Sequence, residues 1–166
     1  LPGEVMFVFQ PAEEGAPDGE TGGAPQMLAE GLFRDFKPAA VFGLHVTSSL
    51  PAGTLGVRPG PIMAASRRFR IVMQGRHTHG SRPWGGVDPI VASADMVMSA
   101  QTTASRRKDI SRLPVVGAVG AVKGGVRHNI IPDEVELIGT MRTFDEGMRA
   151  ATCADLKNVA EPVAAA

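Results

Sequence analysis

Glu13 and Glu14 stand side by side in Phe9-Gln10-Pro11-Ala12-Glu13-Glu14-Gly15, directly after the apolar run Val5–Phe9. Adjacent carboxylates can divide labour, one binding a metal while the other moves protons. Pro11 and Gly15 bracket the pair as a turn, and loops at strand ends are where rigid scaffolds present their chemistry. Alone, a Glu-Glu pair is more often a solvated acidic turn. His45 shifts the balance. A single histidine in an apolar strand is usually a hydrogen-bonded core residue. Set near the end of the run Ala39–Val46, beside two carboxylates at the matching end of a neighbouring strand, it reads better as an imidazole ligand to a divalent ion.

The elements that must position these residues follow from pattern. Val5–Phe9, bounded by Pro2-Gly3 and Pro11, and Ala39–Val46 are both continuously apolar, as buried strands are. Between them lie a glycine-rich loop from Ala16 to Gly23 and a short helix from Ala24, with Gly31 as its stop. Strand, helix, strand with both strands apolar throughout predicts a parallel unit within an α/β sheet. Ligand sites in such sheets lie at the carboxyl ends of strands, so Glu13, Glu14 and His45 are expected to converge.

From Ala64 the pattern changes. Arg68–Gly75 alternates, with Phe69, Ile71 and Met73 on one face, which predicts a half-buried antiparallel strand. A loop from Arg76 to Gly86 holds His77, His79 and Trp84; for Trp84, pocket lining and loop packing both remain open. Asp88 then suits an N-cap and Pro89 the first turn of a helix carrying Ile90, Ala94, Val97, Met98 and Gln101. Arg106-Arg107-Lys108 reads as its solvated terminus rather than a nucleic-acid contact. Val115–Val122 and Val135–Arg142 are further strands, and a last helix from about Glu146 turns Met148, Leu156, Val159 and Val163 inward. The sum is a two-layer α+β unit with its helices on one face. The expected division is therefore 1–64, an α/β portion with a parallel strand-helix-strand unit, and 65–166, an α+β portion with an antiparallel sheet and two helices.

Composition narrows the function classes. The chain has 166 residues, 43% of them hydrophobic, enough to bury a core in one or two small domains. Lys+Arg and Asp+Glu each number 17, so net charge is zero and nothing favours nucleic acid or an anionic membrane. No apolar run reaches the roughly 18 residues of a membrane span, and the residues Leu1–Glu4, lacking a basic start, are not expected to be a signal peptide. One cysteine, Cys153, permits no internal disulfide and is compatible with a reducing, cytoplasmic setting.

Several stretches in order carry a resemblance: Phe9–Gly15, Gly22-Gly23-Ala24, Phe42–His45, Gly53–Pro61, Gly75–Pro83, Gly86–Ile90, Asn129–Glu134 and Gly139–Asp145. Together they resemble the co-catalytic metallopeptidase family of aminoacylases and related carboxypeptidases. The closest branch is the metal-dependent amidohydrolases of N-acyl amino acids, such as hippurate hydrolase and indoleacetyl-amino-acid hydrolase. The resemblance implies a metal-dependent hydrolase in which Glu13 is the general base acting on metal-bound water, with Glu14 and His45 as metal ligands. It implies two divalent ions in the intact family (zinc, manganese, nickel or cobalt), a lid that is also a dimerisation domain, and a homodimer. His79 would reach the partner subunit's active site and steady the carbonyl oxygen. Asn129 and Arg142 would contact the substrate, an N-acyl amino acid or small peptide, with Arg142 suited to its carboxylate.

The match also departs from the family. The upstream segment that brings a Cys and a His to the metals has no counterpart, nor does a later His; His77 and His128 are by default solvated loop residues. Catalytic zinc normally has at least three protein ligands. The expectation is thus a central fragment, inactive alone and holding metal weakly, with a lid that lacks its last strand. The alternative is an inert dimerisation module.

Overall fold

The computed structural model describes residues 2–17, 19–111 and 113–166. Asp18, within the expected glycine-rich loop, lies outside the described residues, as do Leu1 and Arg112. Contacts divide the chain into two units, Leu1–Leu55 and Gly56–Ala166. The boundary expected at 64/65 falls inside the second unit, where its first strand begins.

That second unit holds β1 (Ala65–Gln74), β2 (Thr78–His79), a 3-10 turn (Pro83–Gly85), α2 (Pro89–Ser105), β3 (Val115–Gly124), β4 (Ile130–Ile131), β5 (Glu134–Thr143) and α3 (Glu146–Ala165). The first unit contributes α1 (Gly23–Ala29). β1, β5 and β3 form an antiparallel sheet in that order, with β5 central. The alternation expected of β1 is realised: Ile71 and Met73 pack with Leu137 of β5 beneath Met96 and Ala100 of α2 and Val159 of α3. Burial of β5 alternates along its whole length, with Val135, Leu137 and Met141 inside.

Local chemistry explains the element ends. Asp88 caps α2, its carboxylate accepting from the backbone N–H of Ile90 at 2.9 Å and of Val91 at 3.3 Å, with Pro89 in the first turn. Asp145 does the same for α3 through the Met148 N–H at 2.7 Å. Within the sheet, Phe69 lies across Gly139: a Cβ there would fall 2.1 Å from the ring and 2.5 Å from the Ala118 carbonyl oxygen. Gly120 is an extra residue in β3, where Val119 faces Gly139 and Ala121 already faces Ile138.

One run departs from its expected role. Lys108 is not a solvated helix terminus; its side chain is 9% exposed and its Nζ donates to Asp155 at 2.6 Å. Arg107 lies 3.8 Å from the same carboxyl group. A buried ammonium needs a paired anion, so this basic run ties the α2–β3 connection to α3.

The first unit departs further. No strand forms among its described residues, so the expected parallel strand-helix-strand unit is absent. The run Val5–Phe9 leaves Phe7 79% and Phe9 87% exposed, and the run Ala39–Val46 leaves Phe42 92% and Leu44 88% exposed. Strands of a parallel sheet are stable only between paired neighbours and under helices on both faces. Here the described residues of the unit supply one seven-residue helix. That helix ends as expected at Gly31, whose φ of 96° permits a Schellman closure: Leu32 N–H to Met27 O at 2.9 Å and Gly31 N–H to Leu28 O at 3.1 Å.

Denaturation followed by circular dichroism should rank substitutions in the second unit. Leu137→Ala should cost about 2–5 kcal/mol, and Gly139→Val, which wedges the Phe69 ring, about 1–3 kcal/mol or more. Ser93→Ala should be neutral or stabilising by about 1 kcal/mol, because the buried Ser93 hydroxyl has no partner among the described residues. A marked loss at Ser93 would show a hydrogen bond that this packing does not contain.

Candidate functional site

In the first unit, the carboxylate turn is seated on the start of α1. The Gly15 N–H donates to Ala12 O at 3.1 Å, and the Gly23 N–H to Pro11 O at 2.7 Å. Ala12, immediately before Glu13, has φ 49°, a left-handed conformation strained for a residue with a Cβ. Glu13 and Glu14 are exposed, with no hydrogen-bond or ion-pair partner among the described residues.

His45 is also exposed, with Nδ1 2.7 Å from the Val46 carbonyl oxygen. A carbonyl only accepts, so Nδ1 carries a proton, and a neutral ring held this way presents its lone pair at Nε2. Metal-ligating histidines commonly use this arrangement. The expected convergence does not form, however. Among the described residues no three His, Cys, Asp or Glu side chains gather in a group able to hold a metal ion. Convergence depended on the two runs pairing as parallel strands, and they do not pair. Glu14 and His45 have the right donor chemistry, yet the donor set does not fit a complete metal site.

In the second unit, two expected residues are brought together. β2 and β4 pair as a ribbon with Thr78 opposite Ile131 and His79 opposite Ile130. The Gly80 N–H donates to Asn129 O at 2.8 Å, closing the ribbon beside both residues. His79 Nδ1 accepts from the Ser81 N–H at 3.2 Å and lies 2.7 Å from the Ser81 hydroxyl. A neutral ring used this way keeps its proton on Nε2, free to donate to an oxygen.

Arg142 lies elsewhere. It sits near the far end of β5, opposite Ser66 and Val116, exposed and without a partner among the described residues. The ribbon adjoins the Glu134 end of β5, eight residue steps away. At about 3.3 Å per step, some 26 Å of strand separates the two ends.

Sequence reasoning missed one feature of the ribbon. His77, expected to be a solvated loop residue, donates its backbone N–H to Asp133 Oδ1 at 3.0 Å, and its Nδ1 lies 2.9 Å from the same oxygen. The imidazole hydrogen bond, then the backbone one, hold the Asp133 carboxyl below the usual carboxylate range. No periodicity signals a contact across 56 residues, and a loop His-to-Asp pair has no local signature. His128 is exposed with no partner among the described residues. Trp84 is 81% exposed, so it is not buried by loop packing.

An antiparallel three-stranded sheet under two helices, with a short ribbon beside one end of β5 and Arg142 near the other, makes the second unit an α+β module. Residues 1–162 match the peptidase family M20/M25/M40, and the chain belongs to that family. It is 40% identical over 166 residues to an N-acetylcysteine deacetylase of Bacillus subtilis, covering 99% of this chain and 41% of that protein. It is likewise 40% identical over 147 residues to an N-acyl-L-amino acid amidohydrolase of Geobacillus stearothermophilus, covering 89% and 38%. Among solved structures, a Bacillus subtilis protein described as a dinuclear metal binding peptidase from the M20 family superposes with a TM-score of 0.68. That match has 35% identity and covers 96% of this chain and 36% of the other. The chain thus spans well under half the length of these relatives.

Equilibrium dialysis of the 166-residue chain tests the donor set. Zinc should bind with a dissociation constant above about 1 μM, since fewer than three protein ligands are assembled. Tighter retention, abolished by Glu14→Ala or His45→Ala, would reveal a ligand group that this geometry lacks.

Proposed function

We propose that the chain is the central part of a metal-dependent amidohydrolase that cleaves the amide bond of N-acyl amino acids. Residues 1–64 belong to its catalytic domain and 65–166 to its lid and dimerisation domain. The observation that carries this reading is 40% identity across 99% of the chain to a deacetylase of an N-acetyl amino acid. The order of the candidate residues within one family match over residues 1–162 supports it.

In this reading Glu13 takes the proton from the attacking water and returns it to the leaving amine, as one carboxyl group can do when it flanks both. Glu14 and His45 are two donors that would contribute to a divalent-ion site, where a bound ion would supply activated water. His79 donates from Nε2 to the carbonyl oxygen as negative charge builds there. Asn129 offers its amide to the substrate, and Arg142 grips the amino-acid carboxylate with two parallel N–H groups.

The spacing bears on assembly. An N-acyl amino acid is far shorter than the roughly 26 Å of β5 between the ribbon and Arg142. The two can serve one substrate only if they come from different copies of the lid, so the reading requires a homodimer. β1 and β3 each leave one edge unpaired in the three-stranded sheet, as strand-to-strand association needs. These edges are also what favours the second reading, an inert dimerisation module.

Kinetics on the complete hydrolase, with N-acetyl amino acids as substrates, decides between them. Glu13→Gln should lower kcat by about 10²–10⁴-fold with KM little changed, and Arg142→Ala should chiefly raise KM. The 166-residue chain alone should show no turnover and should sediment as a dimer. Wild-type turnover insensitive to Glu13→Gln would remove the proposed base, and a monomer at high concentration would remove the shared site.

A further inference from the structure

We infer that His77 and Asp133 form a clamp that holds the loop carrying His79 against the loop carrying Asn129, and so sets the spacing of the two groups offered to the substrate. The inference rests on the proposed roles of His79 and Asn129, and it makes His77 and Asp133 positioning residues.

The geometry is specific. Asp133 joins the β1–β2 connection at three points: its carbonyl accepts from the Gly75 N–H at 2.6 Å, and Oδ1 accepts from the His77 backbone at 3.0 Å and its ring at 2.9 Å. Beyond His77, among the described residues, two residue pairs, Thr78–Ile131 and His79–Ile130, join the loops before Gly80 reaches Asn129 O at 2.8 Å. A two-residue ribbon is marginal by itself. The β4 side has an anchor, since Ile131 is buried, whereas His77, His79 and Gly80 are exposed. On the His79 side Thr78 is half-buried against Gly85 and Gly86, and hydrogen bonds hold the exposed residues around it. The two at the Asp133 carboxylate are charge-assisted, which makes them stronger than neutral ones.

The contact between the loops is close. A Cβ on Gly80 would stand 3.3 Å from the backbone C and O of Asn129. A small shift of the His79 loop thus changes its distance to Asn129 directly. The clamp also has a defined pH range. Because His77 holds Asp133 below the ordinary carboxylate range, the clamp is complete above that range and opens as pH falls through the lowered value. Among the described residues His77 is the charged or titratable group acting on this carboxylate. Neighbouring Glu134 takes its own hydrogen bond from Gln74 Nε2 at 3.3 Å.

Amide hydrogen exchange followed by NMR on the 166-residue chain tests the clamp. His77→Ala and Asp133→Ala should each speed exchange of the Gly80 amide about tenfold or more, with the Leu137 amide in β5 unchanged. His77→Asn, which places an amide N–H near the Nδ1 position, should restore most of the protection. In the unsubstituted chain the Gly80 protection factor should fall on acidification, and in Asp133→Asn it should be flat. If Asp133→Ala proves unfolded, the two His77 variants decide alone. Equal Gly80 protection in His77→Ala and the unsubstituted chain overturns the clamp. In the complete hydrolase His77→Ala should lower kcat about tenfold with KM within about twofold, and His77→Asn should recover it. Altered exchange with unaltered kcat would overturn the positioning role. An unsubstituted hydrolase without amidase activity would instead sink the functional reading, with the exchange result still deciding whether the clamp exists.

Discussion

Strand β5 is hydrogen-bonded to a neighbour along both edges, to β1 on one side and β3 on the other, and the second unit depends on that double pairing. Its inward residues Val135, Leu137 and Met141 form the floor on which α2 and α3 lie. Its two ends set out the polar groups. Asp133 and the ribbon lie just before its first residue, and Arg142 comes one position before its last. A strand pinned on both edges has a nearly fixed rise per residue. The interval between ribbon and arginine is therefore a property of the ladder, and no rearrangement of the surface loops can shorten it.

The second unit was largely legible because its signals are periodic or local. Alternation at Phe69, Ile71 and Met73 announced β1, and Asp88-Pro89 announced α2. What stayed illegible is long-range and aperiodic. The β2–β4 ribbon comprises two residue pairs, too few for any alternation to register. Lys108 and Asp155 are 47 residues apart, and nothing in Arg106-Arg107-Lys108 says which of its cations will be buried. The same holds for His77 and Asp133.

The first unit fails for a different reason. The apolar content of Val5–Phe9 and Ala39–Val46 expresses a tendency to be buried, and a tendency does not supply partners. A helix can satisfy its own backbone, as α1 does up to Gly31, whereas a strand cannot. Glu13, Glu14 and His45 inherit that dependence. Their convergence was inferred from two strands lying in register, and without the register the donors stay apart. By contrast His79 and Asn129, carried by a ribbon on a paired sheet, are set beside each other. Candidate residues could thus be named from the sequence, whereas their proximity depends on backbone pairing that the sequence did not reveal.

Gly139 beneath Phe69 has a consequence for how β5 finds its place. A slip of one residue would turn the buried side chains to the outer face. A slip of two keeps the faces correct and is the error that alternation alone cannot prevent. Here it would put Leu137 or Met141 under the aromatic ring, where even a single methyl carbon does not fit. The bare position thus acts as a notch: β1 and β5 can mesh in one alignment and are barred from the next one that hydrophobicity would accept.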